Sequence, residues 1–164
     1  MTLLEQIQKE HAAAFTHGGK FHADDVFSAA LLLHFNPQLT IQRGNRVPED
    51  FDGIVFDIGR GEYDHHQKDS RIRENQVPYA AFGLLWEALG TEILSPEMAA
   101  RFDEKFVQPL DLNDNTGEKN ELASMIGMFI PVWDDNSGSD AAFLEAVAVA
   151  GRILEHKWER FRAD

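Results

Sequence analysis

Apolar and polar residues fall in blocks along this chain, and the blocks change period. AAAFTH (Ala12–His17) is an apolar run of strand length, closed by the polar, glycine-bearing turn HGGKFH. ADDVFSAALLLHF follows, with Val26, Phe27, Ala30, Leu31 and Phe35 at helical spacing. Asp24 or Asp25 is suited to cap this helix, and Pro37 stops it. LTIQRG (Leu39–Gly44) alternates as a strand does, residues 45–52 read as loop, and GIVFDIG (Gly53–Gly59) reads as a second buried strand. With a short helix over residues 2–11 in front, the order is β-α-β-loop-β, the opening of a parallel α/β sheet.

The second half is helical in pattern. A helix is expected from about Tyr79 to Leu89, ended by Gly90. Ser95-Pro96-Glu97 is a helix start, and that helix runs towards Val107. Pro109 then interrupts, and LDLNDNTGEKNEL reads as an acidic, polar loop. Residues 120–129 look helical, IPVWDDNSGS reads as loop, and an amphipathic helix spans about Ser139 to Phe161. Phe143, Val147, Ala150, Ile153, Leu154 and Trp158 share one side of it. The expected fold is α/β: a mostly parallel sheet flanked by helices, with a mainly helical part from about residue 91, all in one domain over residues 1–164. The last helix is expected to pack on its own sheet, with Trp133 and Phe161 as the alternative basis for a homo-oligomer.

Composition narrows the chemistry. A chain of 164 residues, 43% hydrophobic, suits one domain with a real core. No apolar run approaches the roughly 20 residues of a membrane span. MTLLEQIQKEH lacks the basic and apolar regions of a signal peptide, so the expected location is cytoplasmic. There are no cysteines, so any metal must sit on histidine and carboxylate ligands. Net charge is −13, which argues against non-specific nucleic-acid binding, although divalent cations can cancel charge locally.

Metal-competent residues gather at five places, each at the end of an expected element. These are His17; His22 with Asp24 and Asp25; Asp57; Asp64-His65-His66; and Asp111 with Asp114. In an open parallel sheet the strand C-terminal ends line one edge, where ligands bind. Taken singly, each group reads more plainly as a turn histidine, a helix cap or a solvated loop. Asp57 is harder to dismiss, because it follows Ile54-Val55-Phe56 and a buried carboxylate needs a partner.

THGGKFHADDVFSAALL (Thr16–Leu32), VFDIG (Val55–Gly59), YDHHQ (Tyr63–Gln67) and LDLNDN (Leu110–Asn115) stand in the order found in a known superfamily. The chain resembles the DHH phosphoesterases, named for the Asp-His-His triplet. Within them it is most similar to the melanocyte-proliferating-gene family of metal-dependent hydrolases, described as 3′–5′ RNA exonucleases. VWDDNSGSDAAFLEAV (Val132–Val147) resembles a later segment of that family. The likeness spans nearly the whole chain, although family members are usually longer. The first motif reads His22-Ala-Asp24, as in the narrower family, and the glycine of the fourth is displaced to Gly117.

The resemblance implies a divalent-metal-dependent phosphoesterase. It implies metal ligation by His17, His22, Asp24, Asp57, His65 and one of Asp111 and Asp114, with Mn²⁺ expected first and Mg²⁺ next. Asp57, capping the central strand, would bridge two ions. Asp114 is preferred over Asp111 because its Asp-Asn pair matches the motif. His66 would donate to a phosphate oxygen or protonate the leaving group, Asp64 would orient His65, and Lys68 and Arg71 would hold outer phosphates. The substrate would carry phosphate, such as short RNA or an oligonucleotide. Two alternatives stand beside this: a metal-binding module without turnover, serving regulation or assembly, and a hydrolase of a small phosphate such as pyrophosphate.

Overall fold

The computed structural model describes residues 1–66, 70–132 and 138–164. Its elements run α1 (Leu3–Gln8), β1 (Ala13–His17), α2 (Ala23–Phe35), β2 (Thr40–Gly44), β3 (Ile54–Val55), α3 (Ala81–Leu89), α4 (Pro96–Phe102), α5 (Gln108–Thr116), α6 (Glu121–Gly127) and α7 (Ser139–Ala163). The expected α/β class is present: among the described residues a three-stranded sheet in the order β2-β1-β3, both pairings parallel. The central strand is therefore β1, which carries His17 at its C-terminal end. Asp57 does not cap the central strand, because β3 is an edge.

That edge strand is shorter than its apolar pattern. Ile54 and Val55 pair with Ala14 and Phe15, and the Phe56 N–H adds one bond to the Phe15 carbonyl at 3.1 Å. Asp57 then turns into the left-handed region (φ 57°) and ends the strand. Only glycine, and less readily aspartate or asparagine, adopts that conformation routinely.

Helix α2 is buried over most of its length: every residue from Ala23 to Leu32 is buried, Asp24, Asp25 and Ser28 included. It packs against α1, α3, α5, α6 and α7. Burial of Val26, Phe27, Leu31 and Leu32 contributes about 1.5–3 kcal/mol each relative to exposure. Helix α7 buries Phe143, Ala146, Val147, Ala150, Leu154 and Trp158 mainly against α2 rather than against the sheet. Its start is pinned by Arg43 of β2, which donates to Asp140 (2.8 Å), Ser139 Oγ (3.3 Å) and the Gly19 carbonyl (2.7 Å). Phe161 sits edge-on to Phe102 at 5.2 Å, and Trp133 lies outside the described residues.

The acidic segment after Pro109 is not a loop. Leu110 to Thr116 form most of α5, and α4 runs into it through a wider π turn over Asp103–Val107. There the Gln108 N–H donates to the carbonyl of Asp103, five residues back. Proline lacks an N–H and its ring collides with the carbonyl four residues back in a regular α-helix. Widening the turn just before Pro109 lets the helical run continue, ending at the left-handed Gly117 (φ 76°).

Candidate metal centre

Four segments meet at the C-terminal edge of the sheet: the end of β1, the start of α2, the loop after β3, and α5. His17 leaves β1 with Nδ1 donating to the Gly18 carbonyl (3.1 Å), which turns Nε2 towards Asp57 Oδ2 (3.1 Å) and Asp25 Oδ2 (3.2 Å). Asp25 is the third residue of α2, and its Oδ1 accepts the His22 N–H at 2.7 Å. The loop after β3 closes on itself through Asp57 N–H to the Tyr63 carbonyl (2.9 Å) and Arg60 N–H to Asp64 Oδ2 (2.8 Å). This closure delivers His65 to the far side of Asp57, with Nδ1 3.5 Å from Asp57 Oδ1 and 3.9 Å from Asp24 Oδ2. The Nε2 of His65 meets Asp114 Oδ2 of α5 at 2.7 Å.

Asp57 thus divides its carboxylate, one oxygen towards His17, the other towards His65. The donor atoms of His17, His22 and Asp25 lie within 4.8 Å of one another. Those of Asp24, His65 and Asp114 do as well, and so do those of Asp57, Asp64, His65 and His66. Asp57 Oδ1, Asp25 Oδ2 and His65 Nδ1 are buried without a hydrogen-bond partner among the described residues. Orphaned polar atoms of this kind are costly and call for a partner that is not hydrogen-bonding protein. An all-nitrogen-and-oxygen donor set suits a hard divalent cation such as Mn²⁺ or Mg²⁺. The separations of 3.1 and 3.2 Å also match the roughly 3 Å between adjacent donors of an octahedron with bonds of about 2.1 Å. The residues present fit a metal.

The electrostatics agree. Burial and the neighbouring carboxylates of Asp57 and Asp114 hold Asp24 well above the usual aspartate range. Burial pushes Asp25 up to about 7, against the opposing charge of His17. Burial disfavours a charged His17 ring, but the Asp57 hydrogen bond and the charges of Asp25 and Asp57 outweigh it and raise the ring to about 9. His65 is raised in the same way, burial being outweighed by Asp114 and Asp57.

Several expected roles change on contact with the geometry. Asp64 does not orient the His65 ring. Its Oδ1 accepts His66 Nδ1 at 2.6 Å and the His65 backbone N–H at 2.8 Å, so the ring it orients is that of His66. His66 is left half-exposed with Nε2 3.8 Å from Asp57 Oδ1. Asp24 does not cap its own helix: it receives the N–H groups of Ala81 (3.2 Å) and Phe82 (2.9 Å) at the start of α3. Asp111 is not brought to the group. It is fully buried, with Oδ2 on Arg73 (2.8 Å) and Oδ1 on the Gly83 N–H (3.2 Å). Arg71 is held by Glu87 in a two-point ion pair (2.7 and 2.9 Å), away from the site. Lys68 lies outside the described residues.

A cleft of about 750 Å³ opens over the centre, lined by His17, His22, Asp57, His66 and Asp114 among others. Lys20 and Arg60 also line it, and neither side chain has an ion-pair partner among the described residues. Sequence reasoning counted Asp25 among the metal-competent residues but gave it no ligand role, and gave the outer-phosphate role to Lys68 and Arg71 rather than to Lys20 and Arg60. The signal for Lys20 was its place between His17 and His22 in the turn that carries both.

Comparison with known proteins decides the family. The model of the family described as Uncharacterised protein family (UPF0160), labelled MYG1_exonuc, matches residues 13–163. The chain belongs to this family. It is similar to "MYG1 protein C694.04c" of Schizosaccharomyces pombe, 25% identical over 85% of this chain and 54% of that one. It is also similar to "MYG1 protein C27H6.8" of Caenorhabditis elegans, 23% identical over 83% and 52% respectively. The chain spans about half the length of these relatives. No solved structure matches it. Among the described residues, no helix is long and apolar enough to cross a membrane.

Proposed function

We propose that this chain is a divalent-metal-dependent phosphoesterase of the DHH type, acting on phosphodiesters of the size of short oligonucleotides. The observation that carries the reading is the divided Asp57 carboxylate, with a His/Asp half-site on each oxygen. His17, His22 and Asp57 would hold one ion, and Asp24, Asp57, His65 and Asp114 the other. Two such ions, when bound, would supply positive charge to activate water and stabilise the attacked phosphoryl group. The family label MYG1_exonuc supports exonuclease-like chemistry, and Mn²⁺ is the ion we expect.

The chain's own residues do the rest. His66, its Nδ1 tied to Asp64, presents Nε2 to the cleft, where it donates to a phosphate oxygen or to the departing alkoxide. Asp64 fixes that tautomer by accepting from Nδ1. Lys20 and Arg60, rather than Arg71, are the described cations in reach of flanking phosphates, and they offset the acidic surface for an anionic substrate. With MnCl₂, the purified chain is expected to release p-nitrophenol from bis-p-nitrophenyl phosphate and nucleotides from short oligoribonucleotides, and Asp57→Asn to abolish both. Tight Mn²⁺ binding without cleavage of either, or of pyrophosphate, would leave a binding module instead.

A further inference from the structure

Asp25 stands outside every role given above, yet it is the least explained acid in the cluster. It is fully buried, in the first turn of α2, whose residues from Ala23 to Leu32 are all buried. Its two oxygens have different fates. Oδ1 accepts the His22 N–H at 2.7 Å and closes the start of α2, a capping duty any aspartate at the third helical position can perform. Oδ2 is buried with no hydrogen-bond partner and lies 3.2 Å from His17 Nε2.

The tautomer of His17 decides what that contact means. Its Nδ1 faces the Gly18 carbonyl at 3.1 Å, and a carbonyl oxygen only accepts, so Nδ1 carries the proton. In the neutral ring, Nε2 is then a bare lone pair facing two carboxylate oxygens, those of Asp25 and Asp57. The donor atoms of His17, His22 and Asp25 lie within 4.8 Å of one another, so a cation set among them satisfies the orphaned Oδ2 of Asp25.

We infer that Asp25 is a direct metal ligand, supplying through Oδ2 an oxygen donor to the ion held by His17 and His22. This rests on the two-ion reading above and extends its ligand set. The half-site gains a second negative charge, and α2 is locked to the ion through the same residue that caps it.

Asp25→Asn is the informative change, since an asparagine oxygen can still accept the His22 N–H while the charged donor is lost. Titrating the full chain with MnCl₂ in a calorimeter reads stoichiometry and affinity without turnover. The expected result is that one of two ions is lost, or weakened at least about 100-fold. That is at or beyond the top of the roughly 10–100-fold effect of residues that only orient a ligand. Wild-type stoichiometry and affinity in a folded Asp25→Asn chain overturn the inference and leave the two-ion reading standing. A wild-type chain that binds no Mn²⁺ sinks both. Should the variant fail to fold, anomalous scattering from Mn²⁺-soaked wild-type crystals decides. An ion within about 2.4 Å of Asp25 Oδ2 supports direct ligation, and one beyond hydrogen-bonding distance refutes it.

Discussion

Two buried acidic clusters lie on either side of the α3 N-terminus, and the fold treats them in opposite ways. In one, Asp111 and Asp103 are met by Arg73, which donates to Asp103 at 3.0 and 2.9 Å and to Asp111 at 2.8 Å. The guanidinium also covers the Tyr79 ring at 4.1 Å. Gly83 makes room for this: a Cβ there would fall on the Asp111 carboxylate and crowd Arg73. In the other cluster, Asp24, Asp25 and Asp57 pair with no lysine or arginine among the described residues. They meet backbone amides and histidines instead. The first cluster is finished by the protein itself. The second keeps unpartnered oxygen and nitrogen atoms in the interior, an arrangement suited to binding a cation.

The clusters are joined. Asp24 receives the amides of Ala81 and Phe82, and Asp111 receives that of Gly83, so consecutive N–H groups at the α3 start are shared between them. A negative charge at a helix N-terminus is favourable, and both acids use that. Asp111 is also one turn before Asp114 on α5, so the Arg73 network sets where Asp114 meets His65.

If one cluster is structural and the other functional, substitutions in them should differ in sign. The largest effect is expected for Arg73→Met, which leaves two carboxylates without their cation. Loss of one partner from a buried ion pair costs about 3–5 kcal/mol, read as a lowered denaturant midpoint. Asp57→Asn should leave the metal-free melting temperature unchanged or higher while removing Mn²⁺ binding. It takes a charge from a repulsive group, and asparagine tolerates the left-handed backbone at φ 57°. A drop as large as that of Arg73→Met would erase the distinction.

The pH dependence is a finer test. His17 is raised from 6.5 to about 9 and Asp25 from 3.8 to about 7, so the folded metal-free chain holds more protons than the unfolded one from about pH 4 to about pH 9. Its stability should fall as pH rises across that window. The His17 contribution is fully present below 6.5 and is lost through about 9. Asp111, also raised to about 7, adds the same sign from the other cluster, so the readout is the difference made by Mn²⁺. Binding releases protons from His17 and Asp25, and the rise in melting temperature on adding MnCl₂ should grow with pH. A rise independent of pH would detach these residues from the ion. The smallest effect is expected for Arg71→Ala. Its pair with Glu87 is exposed, worth about 0–1 kcal/mol, and lies outside both clusters.

Much of this was legible in the sequence, and the misses share a cause. The apolar run of β1, the helical spacing of α2 and the parallel order followed from local pattern. So did the gathering of His17, Asp57 and His65, because strand ends must converge on one sheet edge. Pro109 misled, since its helix-breaking rule assumes an α turn and the chain supplies a π turn. The polar composition of LDLND reads as a loop, although Asp111 and Asp114 lie three residues apart on one helix. Arg73 carries no local sign of its role, because its partners lie 30 and 38 residues away. Asp64 and Asp25 were placed correctly in the chain, but which ring each acid faces depends on backbone turns that spacing does not encode.

The central claim is that Asp57 bridges two cations. Anomalous difference maps from Mn²⁺-soaked crystals of the full chain test it directly. The account predicts two peaks about 3.5–4 Å apart, one beside each Asp57 oxygen, with His17 on one side and His65 on the other. No peak at Asp57, or a single ion bound away from it, would contradict the account.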